Sequence, residues 1–223
     1  MSGTPSRVER DPTPPPEEQS DPHALVLAAP SPTGGHCPRS REAHDGTATP
    51  ASTGAFLRVA FTRAGRSPPG EWVRAAEEAG ADVRVVDATP CSSVDVDADD
   101  GGTGVDTVVA SDPANLTDLG VRITDALADM DATAGGSSGG SGELVCCLGS
   151  LTALLQYVDL RAAYQFVNAV TNRVATLGGT THAHIEPTAH DRRTTDTMAS
   201  LFEVVTEPAP ADGALEVVRS RGR

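Results

Sequence analysis

Short apolar runs alternate with segments of helical period along most of this chain, and that alternation restricts the fold more than any other feature. Ala24-Leu25-Val26-Leu27-Ala28, Phe56 to Phe61, Asp82 to Val86, Val105 to Ala110, Leu144 to Leu148 and Thr180 to Ile185 each have the length and apolar content of a buried strand. Between them lie helical patterns. One opens at Pro68-Pro69-Gly70, runs through Trp72, Val73, Ala76 and Ala79, and stops at Gly80. Another starts at Asp112-Pro113, with Pro113 in its first turn, and carries Leu116, Leu119, Ile123, Leu127 and Met130 at helical spacing. A third is capped by Asp159, lines one face with Ala163, Phe166, Val167, Val170, Val174 and Leu177, and ends at Gly178-Gly179. Ser150 is placed to cap a short helix before it, and residues 190–201 read as a last helix. Strands and helices in this order imply an α/β fold: a mostly parallel sheet with helices on both faces. Residues 203–206 and 215–218 read as a closing antiparallel pair around Asp212-Gly213.

The ends differ from the middle. Residues 1–22 are rich in Pro, Glu, Ser and Asp and bury too little apolar surface to offset chain entropy, so a disordered tail is expected there. One domain is expected over 23–219, with 220–223 as a short basic tail. Residues 31–52 are a polar tract with little period, and 135–142 are a Gly/Ser linker.

Charge narrows the partners. The chain has 17 basic and 31 acidic side chains, a net of −14; every basic residue is Arg. A dense carboxylate surface without Lys suits solubility in concentrated salt, where screening shortens repulsion to roughly 3 Å. High-GC codon usage also favours Arg over Lys, but it does not account for the acid excess. Nucleic-acid binding needs a basic face, and here only Arg192-Arg193 and the Arg219, Arg221, Arg223 tail concentrate positive charge. No nucleic-acid partner is expected. No run approaches the roughly 20 apolar residues needed to span a bilayer, and the polar, Pro-rich start is not a signal peptide. The expected setting is cytoplasmic, away from membranes. Cys37, Cys91, Cys146 and Cys147 match no zinc spacing.

In an open parallel sheet, ligands bind beyond the carboxyl ends of the strands. The first strand leads into Pro30-Ser31-Pro32-Thr33-Gly34-Gly35-His36-Cys37. Against the phosphate-loop pattern G-x-x-x-x-G-K-[ST], Pro30 replaces the first Gly, Gly35 matches the second, His36 replaces Lys and Cys37 replaces Ser or Thr. The prolines remove N–H donors from the cradle, His36 carries no fixed charge, and Cys37 is a poor Mg²⁺ ligand. Whether the segment is a degenerate phosphate loop or a plain loop, neither ATP nor Mg²⁺ is expected there. The Leu144–Leu148 strand ends in Gly149-Ser150, where an ATPase of this kind places Asp or Glu. Glu143 lies at the opposite end, and Asp159 serves better as a cap. No catalytic residues are assigned.

Gly149-Ser150-Leu151-Thr152-Ala153-Leu154-Leu155-Gln156-Tyr157-Val158-Asp159, followed by Tyr164-Gln165-Phe166-Val167, resembles the segment after the Walker B strand in KaiC/RecA-type domains of the P-loop NTPase superfamily. It is most similar to a haloarchaeal family of unknown function related to them, whose members often carry Asp where Gly149 stands. Val59 to Arg63, His182-Ala183-His184 and Pro187 to Asp191 also resemble that family. The resemblance spans roughly residues 24–218. It implies a RecA-like sheet and a signalling or regulatory setting, without a substrate.

His182, His184 and Glu186 alternate, so on a strand they share a face about 7 Å apart, and this set is the candidate transition-metal site. A polar strand end packed on helix termini explains the same pattern. The expected function is that of a catalytically degenerate RecA/KaiC-like domain acting through a protein partner or a homo-oligomer. Two alternatives stand beside it: a nucleotide binder or slow ATPase using Arg63 in place of Lys, and a metal-dependent enzyme using His182, His184 and Glu186.

Overall fold

The computed structural model describes residues 23–27, 53–66, 73–74, 76, 78–90, 105–110, 112–134, 143–208 and 215–220. The phosphate-loop positions Pro30 to Cys37, the tail over 1–22 and the linker over 135–142 lie outside these.

Eight strands form one sheet: β1 (Ala24–Leu27), β2 (Thr53–Ala60), β3 (Asp82–Asp87), β4 (Asp106–Val109), β5 (Glu143–Ser150), β6 (Thr180–Ile185), β7 (Val204–Pro208) and β8 (Leu215–Ser220), in the order β4-β3-β2-β5-β6-β1-β7-β8. Every neighbouring pair is parallel except β7 with β8. The helices are α1 (Arg63–Arg66), α2 (Leu116–Ala134), α3 (Leu151–Leu154), α4 (Leu160–Thr176) and α5 (Arg192–Ala199). The mostly parallel α/β architecture expected from the sequence is the one observed, and the closing antiparallel pair falls where the 203–206 and 215–218 runs place it.

Each strand divides its side chains between two faces. Leu25, Leu57, Val59, Val86, Cys146, Leu148, Ala183, Ile185 and Val205 point to one face, where Leu119, Ile123, Leu127, Met130, Phe166, Val167, Val174 and Met198 of α2, α4 and α5 close over them. Phe56, Val83, Val145 and Cys147 point to the other face and pack with the helical residues Val73 and Ala76. Strand β5, between β2 and β6, is buried on both faces, which is why its sequence is a continuous apolar run.

Two boundaries differ from the sequence reading. The helix expected to start at Pro113 starts at Leu116. Asp112 instead folds its own turn, with its carboxylate accepting from the Ala114 N–H (2.8 Å) and its carbonyl from the Asn115 N–H (3.0 Å). Asn115 then takes the capping role, its side chain accepting from the Asp118 N–H at 3.1 Å. Strand β5 runs on to Ser150, two residues past the apolar run, because its backbone stays paired with β6 there.

Leu148, on β5, has no solvent exposure. Leu148→Ala is expected to cost about 2–5 kcal/mol of folding free energy, whereas Val121→Ala, on an exposed position of α2, stays within about 0.5 kcal/mol. Urea unfolding of both variants measures the difference.

Candidate functional site

Chain direction identifies the crest of the sheet as the place to look. After β2 the chain turns onto the face of Val73 and Ala76, through α1; after β5 it turns onto the opposite face, through α3 and α4. Because β2 and β5 are neighbours, a topological switch point falls between their carboxyl ends, where such sheets form ligand crevices.

Gly149 lies at that point. Leu148 pairs with Ala183 and Ser150 with His184, so Gly149 is an extra residue bulged against β6. A Cβ built on it stands 2.8 Å from the Val59 carbonyl oxygen, with the Ala60 Cα and Phe61 N each 3.7 Å away. The obstacle at 2.8 Å is backbone of the neighbouring strand, which cannot swing aside as a side chain can. The position where an ATPase needs a carboxylate therefore has no room for any side chain in this backbone.

The residues after Gly149 are held by one another. The Ser150 hydroxyl accepts from the Ala153 N–H (3.2 Å) and caps α3, the role expected for it. Thr152 Oγ1 accepts from the Glu186 N–H (2.9 Å) and lies 3.0 Å from His190 Nε2. A hydroxyl within hydrogen-bond reach of an imidazole is the geometry of a base-assisted nucleophile. Here the same oxygen ties the loop after β6 to the helix after β5, which makes Thr152 a latch across the crest. Its sequence signal was hidden, because 38 residues separate it from His190.

Glu186 accepts from the Thr188 hydroxyl (2.6 Å) and N–H (3.0 Å), and these bonds, the hydroxyl's first, hold its carboxyl below the ordinary glutamate range. Asp191 caps α5 by accepting from the Thr194 N–H (2.7 Å), and this contact lowers its pKa as well. Asp159 caps α4 through the Ala162 N–H (2.8 Å). Glu143, at the amino end of β5, accepts from the Thr180 hydroxyl (2.7 Å).

His182, His184 and Glu186 do not assemble as a metal set. Glu186 lies past the end of β6 and is engaged with Thr188, while His184 Nε2 approaches Cys147 Sγ at 3.8 Å. Among the described residues no three His, Cys, Asp or Glu side chains stand grouped to hold a metal ion.

The sequence reading missed a buried ionic pair beside the crest. Asp87, fully buried at the end of β3, meets Arg66 Nε of α1 at 2.6 Å and accepts from the Thr89 N–H (2.9 Å) and hydroxyl (2.7 Å). Arg58, buried on β2, faces the same side, its Nη2 3.7 Å from a Cβ built on Gly65. A charged residue ending an apolar strand was the available signal for Asp87. Arg63, the proposed Lys substitute, opens α1 and is exposed.

Two variants test this geometry. Gly149→Ala, with an overpacked backbone contact, is expected to lose about 1–3 kcal/mol in denaturant unfolding. Because the Glu186 pKa is lowered in the folded protein, its contribution is present above the unfolded glutamate pKa and disappears as pH falls through the lower folded value. Melting curves from pH 7 to pH 3 should therefore decline less steeply for Glu186→Gln than for the parent.

A family of unknown function, DUF7504, matches residues 23–208, and the chain belongs to that family. No curated protein matches it. Among solved structures, the uncharacterized protein PH0321 from Pyrococcus horikoshii, crystallised with an unknown peptide, superposes with a TM-score of 0.51 at 12% identity, covering 90% of this chain and 85% of that one. The KaiC-like protein PH0186 from Pyrococcus horikoshii OT3 superposes with a TM-score of 0.44 at 11% identity, covering 89% and 80%. At 12% identity the likeness to the first of these extends to the fold alone, a mostly parallel α/β sheet.

Proposed function

We propose that this member of the DUF7504 family is a catalytically degenerate RecA/KaiC-like domain that works through protein contacts, as a regulatory or scaffold component. The observation that carries the reading is Gly149: an acidic residue there would drive its Cβ to 2.8 Å from the Val59 carbonyl. Phosphoryl transfer depends on positioned metal and charge rather than on covalent chemistry, so a crest without that carboxylate lacks a main part of the machinery. Around it, among the described residues, Asp159, Asp191, Glu186 and Asp87 are engaged as caps or in a salt bridge.

A surface suited to contact supports the same reading. Between α2 and α4, Leu116, Gly120, Val121, Phe166, Ala169 and Val170 line an apolar groove of about 410 Å³. Grooves of this kind on an otherwise charged exterior mark interaction sites. Among the described residues no helix is long and apolar enough to cross a membrane. The exposed Arg63 keeps a second reading alive, a nucleotide binder with arginine contacts to phosphate.

Two measurements separate them. Millimolar Mg·ATP in molar salt should leave the melting temperature unchanged, since a ligand of useful affinity stabilises by RT ln(1 + [L]/Kd). A dose-dependent rise that disappears in Arg63→Ala supports the nucleotide reading instead. Tagged protein at high salt should retain a partner or a second copy, and Val121→Asp should lose it without losing stability. A monomer that retains nothing overturns the scaffold reading.

A further inference from the structure

A second groove lies between α4 and α5, apart from the α2–α4 face. Tyr164, Arg192, Arg193, Asp196, Thr197 and Ser200 line it, and its volume is about 690 Å³. Its charge is opposite to that of the chain as a whole. In a protein of net charge −14, two adjacent arginines stand exposed in a groove that also holds an aromatic ring. Arg192 Nε reaches Asp196 at 3.4 Å, an exposed contact of the kind that contributes little. Among the described residues Arg193 forms no salt bridge.

The point where the amino-terminal segment joins the domain indicates the occupant. Residues 1–22 lie outside the described residues, but His23 is fixed: its carbonyl accepts from the Glu203 N–H (3.0 Å) and the Val204 N–H (3.1 Å). Glu203 follows closely on Ser200, which lines the groove at the C-terminal end of α5. The chain before His23 is therefore joined to the domain beside one end of the groove. From Ser200 back to Arg192, α5 covers about 12 Å. Glu18 and Glu17 are the fifth and sixth residues before His23. An extended chain of that length spans roughly 16–20 Å, which brings these carboxylates level with Arg192 and Arg193. Pro14-Pro15-Pro16 precede them, and Tyr164 lies near the start of α4.

We propose that the segment Pro14 to Asp21 of this chain docks in the α4–α5 groove, with Glu17 and Glu18 on Arg192 and Arg193 and the proline rings on Tyr164. Arginine forks pair with carboxylates through two parallel hydrogen bonds. Proline-rich segments suit aromatic-lined grooves because their fixed φ leaves less entropy to lose on binding. A segment tethered beside its groove is present at an effective concentration of roughly millimolar, so contacts too weak to hold a free partner suffice. Salt screens the ionic contacts and leaves the proline contacts in place. The groove is separate from the α2–α4 face, so the inference is independent of the scaffold reading.

Digestion of the full chain with a glutamate-specific protease in molar salt tests the docking. Cleavage after Glu9, Glu17 and Glu18 is followed by mass spectrometry, and a synthetic peptide of residues 1–22 sets the unprotected rate at each bond. Because cleavage tracks the undocked population, the bonds after Glu17 and Glu18 should be cut about tenfold more slowly than in the peptide, while the bond after Glu9 is cut at the peptide's rate. Arg192→Glu combined with Arg193→Glu should abolish the protection without lowering the melting temperature, since both side chains are exposed. Tyr164→Ala should weaken it, and Arg122→Glu on α2 should leave it intact. Dilution should not change it. Cleavage at the peptide's rate after Glu17 and Glu18, protection that survives the double arginine reversal, or protection that vanishes on dilution, as exchange between copies would give, overturns the proposal.

Discussion

Burial of β5 on both faces is the constraint on which the rest of the molecule depends. Helical residues cover both faces of the sheet at β5, so Val145 to Leu148 have no exposed side and the run is apolar. The parallel neighbours in turn require long crossovers, and α2 and α4 provide two of them. The two faces are unequal. One holds the large continuous core of Leu, Ile, Phe and Met, while the other mixes a smaller apolar cluster with Arg58, Asp87, His182 and Thr206.

Close approach of β5 to β2 at the crest links fold to function. The bulge at Gly149 lets the strand press against the Val59 carbonyl, and it brings Ser150 opposite His184. The Thr152 contacts with Glu186 and His190 fasten the helix after β5 to the segment after β6. Among the described residues, Ser150, Thr152, Glu186 and Asp87 at the crest are engaged in caps, latches and an ion pair.

Particular residues show how far sequence reasoning reached. The helix stops and starts set by Ser150, Asp159 and Gly178 were legible because each acts on groups within a few residues: Ser150 on Ala153, Asp159 on Ala162, and Gly178 through its positive φ of 71°. Pro113 misled because a proline fits the turn made by Asp112 as well as it fits a first helical turn. The metal set failed at Glu186, where alternation along a strand was extended one residue past the strand's end.

Local pattern alone determined the class of fold: period, strand length and capping residues act over a few positions, and they read the same in the chain as in the folded protein. Only the tertiary structure decided strand order and what the crest permits. The contacts that matter there, Gly149 on Val59 and Thr152 on His190, join residues 90 and 38 positions apart, and no periodicity carries information across such distances.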